Sequence, residues 1–294
     1  MSVIGGANFL AVRFSNRELD PFWGAGLRFS IAAGLFVGIA LFLRLRWPRG
    51  RVLGMTVLYG LLGFAIDYAL MYWALVRVDA GVATVVLAVV PLLTVLLASA
   101  QGLERLRGRA LGGSALALAG ILWMTAGPGE VVLPPAALLA MLGAAVCMAE
   151  SVIVGKRLSA NHPAVTNAVG MTTGAGTLLA LSLLVGETWA IPNQSEVIWS
   201  VAYLVTIGSV GLFVLVLLVV RHWTASATSY MFVLFPVVTM ALGAWLADEP
   251  ATVQGAIGAA LVMAGVWFGA LSPAARKPAE EGSLEPATVV VESG

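Results

Sequence analysis

The chain has 294 residues, 60% of them hydrophobic and only 11% charged, with a mean hydropathy of +0.96. Soluble domains run at about 45–50% apolar and about 25% charged, so this composition excludes an ordinary water-soluble domain and points to a chain that turns its apolar surface to lipid. The net charge of +1 and the lack of any long basic run exclude a nucleic-acid partner, and the single cysteine, Cys147, excludes an intrachain disulfide or a cysteine-cluster metal site.

Apolar runs between charged or Gly/Pro punctuation predict ten helices, over 1–14, 22–43, 52–76, 80–101, 110–126, 135–155, 163–186, 197–220, 224–247 and 253–271. The first run is short. Its strictly apolar part, 1–12, spans roughly 18 Å against a hydrocarbon core of about 30 Å. Either the helix borrows length from Arg13–Asn16 or further residues precede it. Residues 272–294 turn to Pro, Glu, Lys and Ser and read as a disordered cytoplasmic tail.

Short connections make neighbouring helices antiparallel, and arginine and lysine set the orientation. With the N-terminus inside, twelve basic residues fall in cytoplasmic connections or the tail. Three, Arg13, Arg17 and Arg77, fall outside, and Arg28 lies within a span. Both termini are therefore expected in the cytoplasm. Tryptophans near the proposed helix ends, such as Trp23, Trp47, Trp189 and Trp245, fit an interfacial belt. Fourteen arginines against two lysines hint at a GC-rich bacterial genome and hence a bacterial cytoplasmic membrane.

The chain repeats itself. Residues 80–120 align without a gap on 225–265 at an offset of 145, which superposes Pro91 on Pro236, Thr94 on Thr239, Glu104 on Glu249, Gly113 on Gly258 and Gly120 on Gly265. An odd number of spans per copy turns the second copy upside down. The expected domains are a five-helix repeat over 1–126 and an inverted one over 135–271. Inverted repeats are the architecture of many secondary transporters, in which two copies rock about a midplane site.

A small-residue run, a mid-helix proline, a glutamate at the next turn and a Gly-rich closing helix occur twice. They stand at Ala80-Gly81, Pro91, Glu104 and Gly112-Gly113 to Gly120, and again at Ala225, Pro236, Glu249 and Gly258 to Gly265. This pattern resembles the drug/metabolite transporter superfamily, EamA-type, and Pro21 with Arg28 fits it too. The second glutamate motif departs from it, with Ala247-Asp248 where Gly102-Leu103 stands in the first. The resemblance implies ten helices, a central cavity lined mainly by helices 1, 3, 4, 6, 8 and 9, and export or exchange of small organic solutes such as amino acids, amines, metabolites or drugs.

Three ionisable groups fall inside predicted spans: Arg28, Asp67 and Glu150. A charge at mid-bilayer costs about 2.5–3.5 kcal/mol on insertion scales, so each needs a partner, water or a role. Asp67 and Glu150 are the candidates for binding an amine or carrying a coupling proton; the alternative is an acid that only packs helices. Arg28, early in its helix, reads as a structural charge that snorkels or binds carbonyls. Pro91 and Pro236 are expected to kink their helices beside the cavity and to free the carbonyls of Leu87 and Phe232. Tyr68, Tyr72 and Tyr230 are candidate cavity aromatics, and Asn8 a polar group that reaches the same space. Glu104 and Glu249 read as residues that pin a turn. The spacings Gly34/Gly38, Gly170/Gly174 and Gly265/Gly269 permit close helix approach without specifying a homodimer.

His162 and His222 lie in polar punctuation and read as solvated, with no metal-ligand spacing, and nothing calls for a cofactor. No phosphate-binding loop indicates primary energy use, and no nucleophile or metal motif supports an intramembrane enzyme. A lipid-scrambling or structural membrane protein is the remaining alternative.

Overall fold

The computed structural model describes residues 1–103, 108–126, 133–247 and 252–271. Glu104, Glu249, Asp248 and the tail 272–294 lie outside them. Among the described residues all regular structure is helical. Six helices are long and apolar enough to cross a membrane: Pro21–Phe42 (α2), Gly50–Leu75 (α3), Ala80–Ala100 (α4), Pro135–Arg157 (α6), Pro163–Val185 (α7) and Ser195–His222 (α8). Shorter helices are Ser2–Ser15 (α1), Gly108–Ala126 (α5), 225–246 (α9) and 253–271 (α10).

Local chemistry sets these boundaries. Pro21, Pro135 and Pro163 each open a helix, where a missing N–H costs nothing because the first turn has no acceptor for it. Gly186 ends α7 in the left-handed region at φ +78°. α2 ends in the same way but with a side chain in place: Arg44 sits at φ +50°, its N–H bonded to Leu41 O (3.0 Å), while Leu45 N–H reaches Ala40 O (2.9 Å). Those two bonds form the usual helix-ending motif, and a non-glycine residue there carries a strain of about 1–2 kcal/mol. α1 does extend through Arg13 to Ser15.

Two helices contain a wider turn in mid-helix, and α10 ends in a third over Trp267–Leu271. α3 is π-helical over Leu61–Ile66 and α8 over Thr206–Gly211. The two turns stand 145 residues apart, the offset of the sequence repeat. The proline-bearing helices also correspond, but they are broken rather than kinked. α4 consists of Ala80–Leu87 and Val90–Ala100, and α9 of Ala225–Ser229, a 3-10 stretch Tyr230–Leu234, and Phe235–Leu246. Pro91 and Pro236 each take the second position of a restarted helix, so the expected mid-helix lesion moves upstream to where a proline does no damage. Phe232 O is not freed; it accepts the Phe235 N–H.

The packing is paired. α2 lies along α7, α5 along α10, α1 on α9 and α8, and α3 on α6 and α7. Glycines allow the closest approaches. A Cβ on Gly60 would stand 2.5 Å from Gly170 O, and one on Gly265 would stand 2.6 Å from Gly113 O. Gly34 and Gly38 meet nothing within 4 Å, so that spacing serves no internal contact. Phe29, Phe36, Phe64 and Met171 are buried, whereas Phe42, Leu184, Trp199 and Trp245 stand outward. On a water-soluble protein such an apolar exterior would be a liability; on these helices it is the face for lipid.

The polar residues gather at the two ends. At one end Arg13 pairs with Asp79 and Arg17 with Glu196. There the Glu187 carboxylate accepts the Phe22 and Trp23 N–H groups (3.0 and 2.7 Å) and so caps α2, while Asp20 accepts from Thr188 and Glu18 from Asn193 and Gln194. Trp23 stacks on Trp189 with centroids 4.5 Å apart. At the other end Lys156 donates to the carbonyls of Val220 and Arg221, and Arg221 to those of Ser159 and Asn161, so each cation closes the C-terminus of the neighbouring helix.

Candidate functional site

A half-enclosed cavity opens between the helices. It is lined by Gly5, Asn8 and Phe9 from α1, Arg28 from α2, and residues of α3 from Tyr59 to Met71. α6 adds a stripe at Met148, Ser151, Val152 and Gly155, α8 contributes Leu212 to Val220, and α9 adds Met231, Phe232 and Phe235. Among the described residues α4 contributes nothing to the wall, contrary to the implied set, and α2 does through Arg28. The cavity extends from the depth of Arg28 and Met71 to Gly155 and Val220, next to Lys156 and Arg221. Its opposite end is the one tied together by Glu18, Asp20 and Glu187.

Two ionisable side chains stand in this apolar wall, each 1% exposed: Asp67 and Arg28. Asp67 is the first residue after the π-turn of α3, and its Oδ1 has no hydrogen-bond partner. Arg28 does not snorkel toward headgroups. Its Nε donates to Ser209 Oγ (2.7 Å), Nη2 to Gly208 O (3.0 Å) and Nη1 to the Tyr72 hydroxyl (3.5 Å), and its guanidinium carbon lies 5.3 Å from the Tyr68 ring centroid. Binding carbonyls was one of the two expected uses of this arginine. The other, an exit to the interface, is precluded because α8 covers it.

The π-turn of α8 supplies those acceptors. A π-turn leaves backbone carbonyls out of the ordinary i to i+4 ladder, and such turns recur at functional sites. Gly208 O takes both Arg28 and the Asn8 carboxamide, whose Nδ2 donates at 3.1 Å. Any side chain at 208 would collide with the Asn8 carboxamide. Asn8 lies in the cavity wall, with its Oδ1 unpartnered. Among the described residues no side chain hydrogen-bonds to the matching turn of α3.

Aromatic rings fill the remaining wall. Tyr68 lies edge-on to Phe29 at 4.6 Å, and Phe64 contacts Phe213 at 4.7 Å. Tyr68 lines the cavity, whereas Tyr72 is fully buried behind it and meets the site through Arg28 and the Tyr68 ring. Tyr230 opens the 3-10 stretch of α9, and its side chain lies outside the described residues. Pro91 and Pro236 are not in the wall; the break before Pro236 instead places Phe232 and Phe235 there.

Glu150 is a correction. It is half-buried, accepts a 2.7 Å hydrogen bond from Gln101 Nε2, and is not a cavity residue. The α6 stripe 148, 151, 152, 155 follows the helical period, and position 150 falls off that face. Gln101 in turn accepts from Arg157, so Glu150 belongs to a polar chain between α4 and α6. His162 caps α7 through Nδ1, which accepts the Ala164 N–H, and His222 ends α8; both are exposed and neither lines the cavity. Sequence reasoning missed Ser209, Gly208, Tyr59, Ser151 and Phe213. The one available signal was the run Gly208-Ser209-Val210-Gly211 inside an otherwise apolar span.

Comparison with known proteins agrees with this membrane architecture. A solved crystal structure superposes with a TM-score of 0.65 at 20% identity, covering 92% of this chain and 98% of that one, which shows a shared fold. The chain is 31% identical, over 84% of its length and 80% of the relative's, to YedA of Escherichia coli K12, an uncharacterized inner membrane transporter. It is 30% identical to a probable terminal-alkyne amino-acid exporter of Streptantibioticus cattleyicolor (83% and 84% covered) and 28% identical to a probable amino-acid metabolite efflux pump of Escherichia coli K12 (96% of each). The profile of the EamA-like transporter family matches twice, over residues 1–126 and 135–270. This multi-pass cell-membrane protein belongs to the EamA-like transporter family.

Proposed function

We propose that the chain is a secondary active transporter that exports or exchanges small organic solutes, amino acids and related amines foremost, by alternating access. In this reading ten helices span the membrane as two inverted five-helix units, 1–126 and 135–271, with both termini in the cytoplasm. The observation that carries it is the half-enclosed cavity with Asp67 and Arg28 in its wall, lined toward one end of the bundle and tied shut at the other. Arg28 directs its bonds to Ser209, Gly208 and Tyr72 and none to Asp67. A carboxyl and a guanidinium that leave each other unpaired suit a solute with an amine and an anionic group on an apolar frame. Desolvating either charge costs several kcal/mol unless something answers it. Asp67, open to such a cavity, is also the group able to exchange a proton for the solute's amine.

The inverted arrangement draws support from the matching π-turns and helix breaks, and from the basic end at Lys156, Arg157 and Arg221. The closed end would face outward, and the cavity would open to the cytoplasm. Flux of radiolabelled amino acids in proteoliposomes, with and without an imposed pH gradient, tests the function. Uptake dependent on the protein and accelerated by the gradient is expected, and no flux of any amino acid or amine under either condition overturns it. For topology, single cysteines at 104 and 249 should label with an impermeant maleimide from opposite sides. Labelling of both from one side refutes the inversion.

A further inference from the structure

The connection between α2 and α3 carries a feature that transport leaves unused. Residues 44–51 read Arg-Leu-Arg-Trp-Pro-Arg-Gly-Arg, four arginines with no acid among them, and Arg44, Arg46, Arg49 and Arg51 are all exposed. Among the described residues of this end, Lys156 and Arg221 hold helix-terminal carbonyls and Arg157 donates to Gln101. None of the four guanidinium groups has a hydrogen bond or ion pair with the protein among the described residues.

Their positions also run against local helix physics. Arg49 is the N-cap of α3 and Arg51 its second residue, where the partial positive charge of the helix end disfavours cations, and the first turn offers no acid to balance them. Arg44 occupies the left-handed position where glycine would sit without strain. Local stability therefore does not account for these arginines. Immediately before them Leu41, Phe42 and Leu43 stand outward, Phe42 at 86% exposure, and Trp47 lies among them. An apolar ledge that ends in unpaired guanidinium groups and an indole matches the boundary between acyl chains and headgroups.

We propose that segment 41–51 is a binding surface for anionic phospholipid headgroups, with Arg44, Arg46, Arg49 and Arg51 pairing to headgroup phosphates while Leu41, Phe42 and Leu43 lie in the acyl region. Guanidinium forks form bidentate bonds to phosphate, which distinguishes this cluster from a merely solvated one. The surface lies away from the cavity and does not depend on what the cavity carries.

Thermal unfolding of the purified full chain in zwitterionic phosphatidylcholine micelles, titrated with phosphatidylglycerol, tests the proposal. Phosphatidylglycerol should raise the unfolding temperature by about 5 °C. The rise should vanish in about 0.5 M NaCl and in the variant with all four arginines replaced by Gln. Added phosphatidylcholine or inorganic phosphate should produce no rise. Arg44→Gly guards against misfolding of the fourfold variant. It relieves the left-handed strain, so it should unfold at a higher temperature in phosphatidylcholine and yet respond less to phosphatidylglycerol. An equal rise with phosphatidylcholine or with inorganic phosphate, or an undiminished response in either variant, overturns the proposal.

Discussion

Asp67→Asn should reduce solute flux at least tenfold and remove its dependence on a pH gradient, while the purified variant unfolds at the temperature of the parent. The side chains are equal in volume, and Oδ1 gives up no hydrogen bond because it makes none. The change therefore isolates the charge and the exchangeable proton. A tenfold loss corresponds to about 1.4 kcal/mol, well within what the loss of a buried charge contact in a low-dielectric site entails. Glu150→Gln is the matched control. Its carboxylate accepts from Gln101 away from the cavity, so flux and its pH dependence should persist. Proteoliposome uptake at two pH gradients reads both variants, and unchanged uptake in Asp67→Asn would remove Asp67 from the transport cycle.

The second large effect concerns stability. Gly265→Ala would place a methyl 2.6 Å from Gly113 O and 2.7 Å from Ala117 N, both backbone atoms of α5 that cannot rotate away. Overpacking of this kind costs about 1–3 kcal/mol, and the rigid neighbours put it near the upper figure. Replacing a mid-helix glycine returns about 1 kcal/mol of helix propensity, so a net loss of about 2 kcal/mol remains. At Gly34 the same substitution meets nothing within 4 Å and should leave only the gain. Thermal unfolding in detergent should therefore move in opposite directions for Gly265→Ala and Gly34→Ala. A shift of the same sign in both would refute the close α5–α10 packing.

The contrast between those glycines shows what a sequence can and cannot reveal here. Gly34/Gly38 and Gly265/Gly269 share a spacing, yet only contact with Gly113 makes the second pair a packing seam. The helices themselves were legible from their long apolar runs, and their predicted ends lie within a few residues of the observed ones. The π-turns were not, since an extra residue in a turn changes neither hydropathy nor length enough to notice. That omission hid the carbonyl of Gly208, and with it the reason Arg28 can remain deep in the bundle. Asp67 and Asn8 could be placed because a polar group in mid-span must answer to something. Glu150 satisfied the same rule through Gln101, a partner whose position depends on how α4 and α6 are rotated. The aromatic wall, Tyr59 and Phe213 among it, has the composition of any helix interior, and only the assembled cavity separates the two.

The clamp on Gly208 has a mechanical corollary. Under a rocking cycle between two halves related by a two-fold axis in the membrane plane, perfect equivalence would make the inward-facing and outward-facing forms equal in free energy. Arg28, Asn8 and Ser209 tether one wide turn, while its counterpart over Leu61–Ile66 is held by packing alone. In the proposed cycle that difference would lift the degeneracy, because the clamp joins α1 and α2 of one half to α8 of the other, so the empty carrier would favour the conformation in which it is closed.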